Sequence, residues 1–166
     1  MEKTPKFDGS LTVRAATPAD CGTIHRFILE LAAFEKMTDE VVATEAGLYD
    51  TLFVQKQAEV IMGECQGEVV AVALYFNHYS TFYGRAYIYL EDLIVKAEHR
   101  HRGFGREMFR HLARLSVARG SERMDWMCLD WNRNAIDFYT GIGARPLADW
   151  TVFRLEKQAL RDFAQE

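Results

Sequence analysis

Residues 91–112 read EDLIVKAEHRHRGFGREMFRHL, and the pattern changes character inside them. The apolar run Leu93-Ile94-Val95 is the end of a strand. Beyond it lies a basic loop holding Arg100, Arg102, Gly103, Gly105 and Arg106. Phe104, Met108, Leu112 and Leu115 then recur at spacings of four, four and three, one face of a helix that Gly120 closes. A strand feeding a glycine-bearing loop and then a helix is a recognisable device. Glycine lets the backbone turn tightly and come close to a ligand. The unpaired N–H groups opening the Phe104 helix, with its dipole, attract an anion, and the arginines add charge around that cradle. The spacing R-x-x-G-x-G suits a pyrophosphate. It lacks the third glycine of a dinucleotide fingerprint and the Gly-Lys-Ser/Thr of a P-loop.

On either side of this segment the chain reads as one α/β domain over residues 1–166. Leu11 to Ala15 alternates like a short strand. Thr17-Pro18-Ala19-Asp20 is a helix start, and Ile24, Phe27, Ile28 and Leu31 lay an apolar stripe along the helix it opens. A second helix is predicted from Thr44, carrying Leu48 and Leu52. Three strands come next, at Ala58–Cys65, Val69–Phe76 and Ala86–Val95, the first two joined through Gln66-Gly67. After the Phe104 helix come a strand at Met124–Leu129, a short helix at Asn132–Gly141, a last strand at Trp150–Leu155 and a polar tail helix. This order predicts a mixed sheet covered by helices.

Composition narrows the function. At 166 residues and 49% hydrophobic the chain holds one substantial core. Its net charge of -4 argues against nucleic acid or an anionic membrane as the main partner and tolerates a cationic one. No stretch has the length of a leader or a membrane span. The three cysteines, Cys21, Cys65 and Cys128, are widely spaced and read as inert thiols of a reducing compartment, so a cytoplasmic location is expected. His99 and His101 flank Arg100 without a third ligand, and no metal is expected.

Two further groups bear on chemistry. Asn132 is a good N-cap, and Tyr139 lies two turns along the same helix face. A phenol there could protonate a departing thiolate. Glu91 and Asp92 are consecutive on a strand, which in a regular pleat sends them to opposite faces. Carboxylates there, with Glu35, Asp39, Glu40 and Asp130 in reach, could take the proton an amine must lose before it attacks.

Taken in order, the strand ending in Leu93-Ile94-Val95, R-x-x-G-x-G, and N-x-x-A-x-x-F-Y (Asn132, Ala135, Phe138, Tyr139) resemble the GNAT superfamily of acetyltransferases. Glu30–Met37 (ELAAFEKM), Tyr79–Arg85 (YSTFYGR), Ile88–Val95 (IYLEDLIV) and Asp130–Ala144 (DWNRNAIDFYTGIGA) resemble its diamine (spermidine/spermine) and thialysine acetyltransferase branch. The similarity runs from about Val13 to Trp150. It implies a mixed, mostly antiparallel central sheet flanked by helices, acetyl-CoA as donor, a small primary amine as acceptor, and a homodimer.

Residue by residue, the resemblance implies that the backbone of Leu93, Ile94 and Val95 pairs with the pantetheine arm. Arg100, His101, Arg102, Gly103, Phe104, Gly105 and Arg106 would hold the pyrophosphate, and Asn132, Arg133, Asn134 and Ala135 would line the coenzyme's other side. Tyr139 would be the acid and Glu91 the base, directly or through water. Phe34, Glu35, Glu91, Asp92 and Trp131 would shape the amine pocket. Ser80-Thr81-Phe82 stands where polyamine enzymes carry an acidic residue before a tryptophan, which brings the chain nearer to the thialysine-type relatives. An acyl-CoA-binding sensor and a protein-amine acetyltransferase remain alternatives on the same fold.

Overall fold

The computed structural model describes residues 9–165; the N-terminal residues, where the sequence reads without a leader, lie outside these. Two compact units divide the chain, one ending at Met127 and one beginning at Cys128.

In the first unit five strands stand in sequence order: β1 (Thr12–Ala15), β2 (Glu59–Cys65), β3 (Glu68–Ser80), β4 (Arg85–Val95) and β5 (Met124–Trp126). The first four pair antiparallel, and β5 joins β4 in parallel. The sheet is therefore mixed and mostly antiparallel, as expected. β3 continues four residues past the sequence reading, to Ser80. β5 stops at Trp126, three residues short of it.

Period-two alternation along β2 decides the layers. Val60 and Met62 join Val72, Ile94, Ile24 and Phe27 of α1 (Cys21–Glu35), and Leu48 and Leu52. Leu48 ends the short α2 (Glu45–Leu48), and Leu52 lies on the π-helical turns that continue it to Val54. Gly63 faces the other way, where a Cβ would stand 2.8 Å from the Met108 sulfur. Met108 belongs to α3 (Phe104–Ala118) and is fully buried with Leu112. Glycine at 63 is what lets that helix seat.

A polar knot ties β1 to α1. The Asp20 carboxylate accepts from both Arg14 Nη1 (2.8 Å) and Nη2 (2.9 Å), from the Thr17 N–H (2.7 Å) and from the Thr17 hydroxyl (2.9 Å). Arg14 Nε also donates to Glu64 on β2. The guanidinium beside Asp20 holds its carboxyl well below the usual carboxylate range. Asp20→Ala removes the bidentate partner of Arg14, leaving it Glu64 and the Ala15 carbonyl, and loses the cap, so a loss of about 2 kcal/mol is expected in denaturant melts at pH 7. Because the folded-state pKa is depressed, the wild-type advantage is full above about pH 4 and fades as pH falls below it.

The second unit holds α4 (Arg133–Gly141) and α5 (Lys157–Phe163). The strand expected at Trp150–Leu155 is not formed: the run is irregular and joins no ladder among the described residues.

Candidate active site

β4 carries the first half of the site. Its register against β3 passes from Leu74↔Asp92 to Tyr75↔Leu90, leaving Glu91 as the extra residue of a β-bulge. A bulge interrupts alternation and re-aims side chains, so the pleat no longer holds Glu91 and Asp92 on opposite faces. The consequence is electrostatic. Asp92 is half-buried, and burial first, then the charges of Glu91 and of Glu35 at the end of α1, push its carboxyl up to about 6. Burial also raises Glu35. Three carboxylates thus share one locality, while Asp39 and Glu40 lie exposed on the turn after α1. Tyr89 adjoins the group, its hydroxyl pushed up by burial and by the Glu91 charge.

The same strand offers an open edge. β5 pairs only with Ile88, Tyr89 and Leu90. On that side Leu93, Ile94 and Val95 have no ladder partner among the described residues, while their other side pairs with Ala73, Val72 and Ala71. An extended ligand carrying amide groups can add to such an edge as a strand does.

Beyond Val95 the chain makes a 3₁₀ turn at Ala97–His99 and enters α3 through His101 (φ 62°) and Gly103 (φ 84°). Gly103 caps the helix in the left-handed conformation glycine favours. Gly105 differs. A Cβ there would meet Val95 at an ordinary 3.7 Å, so the protein has room for a side chain, and glycine keeps the first turn smooth for something outside. Phe104 is buried and stacks on His99 at 6.2 Å, anchoring the turn. Arg102 and Arg106 are exposed beside it. The loop therefore fits the diphosphate expected for it.

Arg100, where the loop motif begins, is tied to β4 and α1. Its Nε donates to the Val95 carbonyl (3.1 Å), and its guanidinium lies 5.1 Å from the centre of the Phe34 ring. It braces the end of β4 against the end of α1, where Phe34 precedes Glu35.

The second unit carries the remaining candidates on one helix. The Asn132 side chain accepts from the Ala135 N–H (3.3 Å) and caps α4, as its position implied. Arg133 and Asn134 are exposed in the first turn, Ala135 is half-buried, and Trp131 just before the cap is exposed. Two turns on, Tyr139 is half-buried, and burial pushes its hydroxyl up to about 12, with the charge of Cys128 adding to the shift. It therefore keeps its proton throughout the neutral range. The sequence marks Asp92 only as a pocket wall. The bulge that gives it a pKa near neutrality has no glycine or proline to announce it in IYLEDLIV.

Comparison with known proteins agrees with this geometry. Residues 26–144 match the acetyltransferase (GNAT) family. A thialysine N-epsilon-acetyltransferase from Sus scrofa is 38% identical over 93% of this chain and 98% of its own. An L-ornithine N5-acetyltransferase from Arabidopsis thaliana is 28% identical over 90% of this chain and 86% of its own. An integron cassette protein from the mobile metagenome of V. cholerae superposes with a TM-score of 0.78 at 23% identity, over 95% of this chain and 99% of the other, and shows the shared fold. The chain is an acetyltransferase of the GNAT family.

Proposed function

We propose that this enzyme moves the acetyl group of acetyl-CoA directly to the primary amine of a small molecule of the lysine-like or diamine class. The observation that carries the acceptor reading is the Glu35–Glu91–Asp92 group at the β4 bulge. Three carboxylates gathered there, Glu35 and Asp92 half-buried and Glu91 exposed, favour a cation, and an amine with a pKa near 10.4 arrives as one. The names of the relatives point the same way, being acetyltransferases of thialysine and of ornithine.

In this reading the open edge of Leu93–Val95 holds the donor's pantetheine arm. His101 to Arg106 and the N-terminus of α3 bind its pyrophosphate, and Asn132 to Ala135 line its other side. Bound acetyl-CoA supplies the acetyl group as an activated thioester. Phe34, Glu35, Asp92 and Trp131 position the acceptor. Glu91, directly or through water, accepts the proton the ammonium must lose, with Asp92 as its neighbour in that task. The Tyr139 hydroxyl gives a proton to the departing sulfur. Positioning supplies much of the rate, with acid–base help adding roughly 10²- to 10⁴-fold.

The family match spans the boundary between the two units, which supports reading residues 1–166 as one acetyltransferase domain. We infer a homodimer working in the reducing cytoplasm, where the buried Cys21 and Cys65 stay as free thiols. No described helix is long and apolar enough to cross a membrane.

Initial rates at saturating acetyl-CoA test the acceptor class. With thialysine, lysine, ornithine, spermidine and a lysine-containing peptide in parallel, kcat/KM is expected to be at least about tenfold higher for a small amine than for the peptide, one tenfold step being about 1.4 kcal/mol of recognition. Acetylation of the peptide alone would replace this acceptor with a protein amine.

A further inference from the structure

The bulge at Glu91 also decides what lies along β4 on its N-terminal side. Leu74 and Phe76 are two apart on β3 and share a face; their partners on β4 are Asp92 and Tyr89. His78 continues that face and pairs with Tyr87, and Asp125 of β5 stands opposite Tyr89. Asp92, Tyr89 and Tyr87 therefore form one strip, with Asp125 beside it. Tyr89 links the two carboxylate positions: its hydroxyl is pushed up by burial first, then by the charges of Glu91 and Asp125.

The far end of the strip is cationic. Arg123, just before β5, holds its guanidinium 4.0 Å from the centre of the Tyr87 ring and 5.8 Å from that of Tyr83. Its Nη2 lies 3.3 Å from the Asp125 carboxylate, and the two side chains stay open to solvent, 39% and 29% exposed. The small pocket at this end also takes in Arg85 and Glu122. Backbone contacts fix the place of Arg123, whose carbonyl accepts from the buried hydroxyls of Ser116 (3.2 Å) and Ser121 (2.9 Å). A guanidinium lying against a ring keeps N–H groups at its edge for a carboxylate, and Asp125 next to it suits an ammonium. Side by side, the pair complements the α-carboxylate and α-ammonium of an amino acid.

Spacing sets the length of the acceptor. Two strand residues, about 7 Å, separate the level of Asp92 from that of Asp125, and about 13 Å separates it from Tyr87 and the guanidinium beside that ring. An extended ω-amino side chain can place its reacting amine among the carboxylates at the bulge and its head group between Asp125 and Arg123. A diamine of the same length brings only a second ammonium, which Asp125 attracts and Arg123 repels.

We propose that Arg123 reads the α-carboxylate of the acceptor, with Asp125 taking its α-ammonium, so that the enzyme prefers an ω-amino amino acid to a diamine. The proposal rests on the small-amine reading above and names the class within it.

L-lysine and cadaverine differ only in the carboxylate, so their kcat/KM values at saturating acetyl-CoA test the subsite. The wild type is expected to favour lysine at least about tenfold, as a site built for a polar group disfavours the analogue that lacks it. Arg123→Gln is expected to lower that ratio at least about tenfold, chiefly through a raised KM for lysine, and Arg123→Lys to restore part of it. A merely structural role for Arg123 would weaken both acceptors alike and leave the ratio where it was. Wild-type enzyme that takes the two acceptors equally, or a ratio that Arg123→Gln leaves unchanged, would overturn the subsite alone. Absence of turnover with every amine would overturn the small-amine reading and the subsite with it.

Discussion

Tyr139→Phe is expected to bind acetyl-CoA as tightly as the wild type and to turn over roughly 10²- to 10⁴-fold more slowly, the range that loss of a positioned general acid covers. The substitution removes one hydroxyl from a half-buried side chain of α4, so the helix and its Asn132 cap persist. With its pKa pushed up to about 12, the phenol is protonated at every pH at which the enzyme would be assayed. Its loss therefore lowers the rate across the whole profile without moving an inflection. Titration of the donor by calorimetry alongside steady-state rates separates the two effects. Near wild-type turnover in the variant would remove Tyr139 from the mechanism.

Replacement of Asp92 by asparagine is expected to raise stability and lower activity together. Burial and the neighbouring Glu91 and Glu35 charges lift the Asp92 carboxyl from 3.8 to about 6 in the folded protein. Below about pH 4 the group is neutral whether folded or not. As pH rises towards 6 the unfolded chain gives up the proton first, so the folded state loses ground. Above 6 the penalty is complete. The shift corresponds to roughly 3 kcal/mol at most, and partial solvent access trims that to about 1–2 kcal/mol. Thermal melts of Asp92→Asn are thus expected to exceed the wild type at pH 8 and to match it near pH 4.

Activity should move the opposite way. An acceptor ammonium loses a buried counter-charge and a proton-accepting neighbour, and kcat/KM is expected to fall about 10²-fold or more. The wild-type inflection near pH 6 should vanish with it. Glu91→Gln gives the complement, a slower enzyme with a displaced pH profile. If both variants keep the wild-type profile, neither carboxylate handles the proton.

The fold was legible where periodicity and turn chemistry agree. The Phe104–Met108–Leu112 spacing, bounded by Gly103 and Gly120, marks α3 within its observed limits, Phe104–Ala118. Alternation and the Gln66-Gly67 turn gave the β2–β3 hairpin. The asparagine at 132 gave the start of α4. What escaped depends on interactions between strands. The bulge at Glu91 arises from register against β3, and no residue in the run marks it, so two carboxylates read as back to back turn out to share a field. Arg100 carries charge in a basic loop, and its sequence cannot show that the Val95 carbonyl and the Phe34 ring claim its guanidinium. Trp150–Leu155 has the composition of a strand, but composition does not supply a pairing partner.

The most direct measurement is stoichiometric thiol release from acetyl-CoA by the purified chain, monitored with and without a small primary amine and matched to the acetylated amine by mass spectrometry. Thiol release that depends on the amine, with one acetylated product per thiol, is the expected result. Tight binding of acetyl-CoA with no thiol release for any amine offered would contradict it, and would leave the chain a sensor built on an acetyltransferase fold.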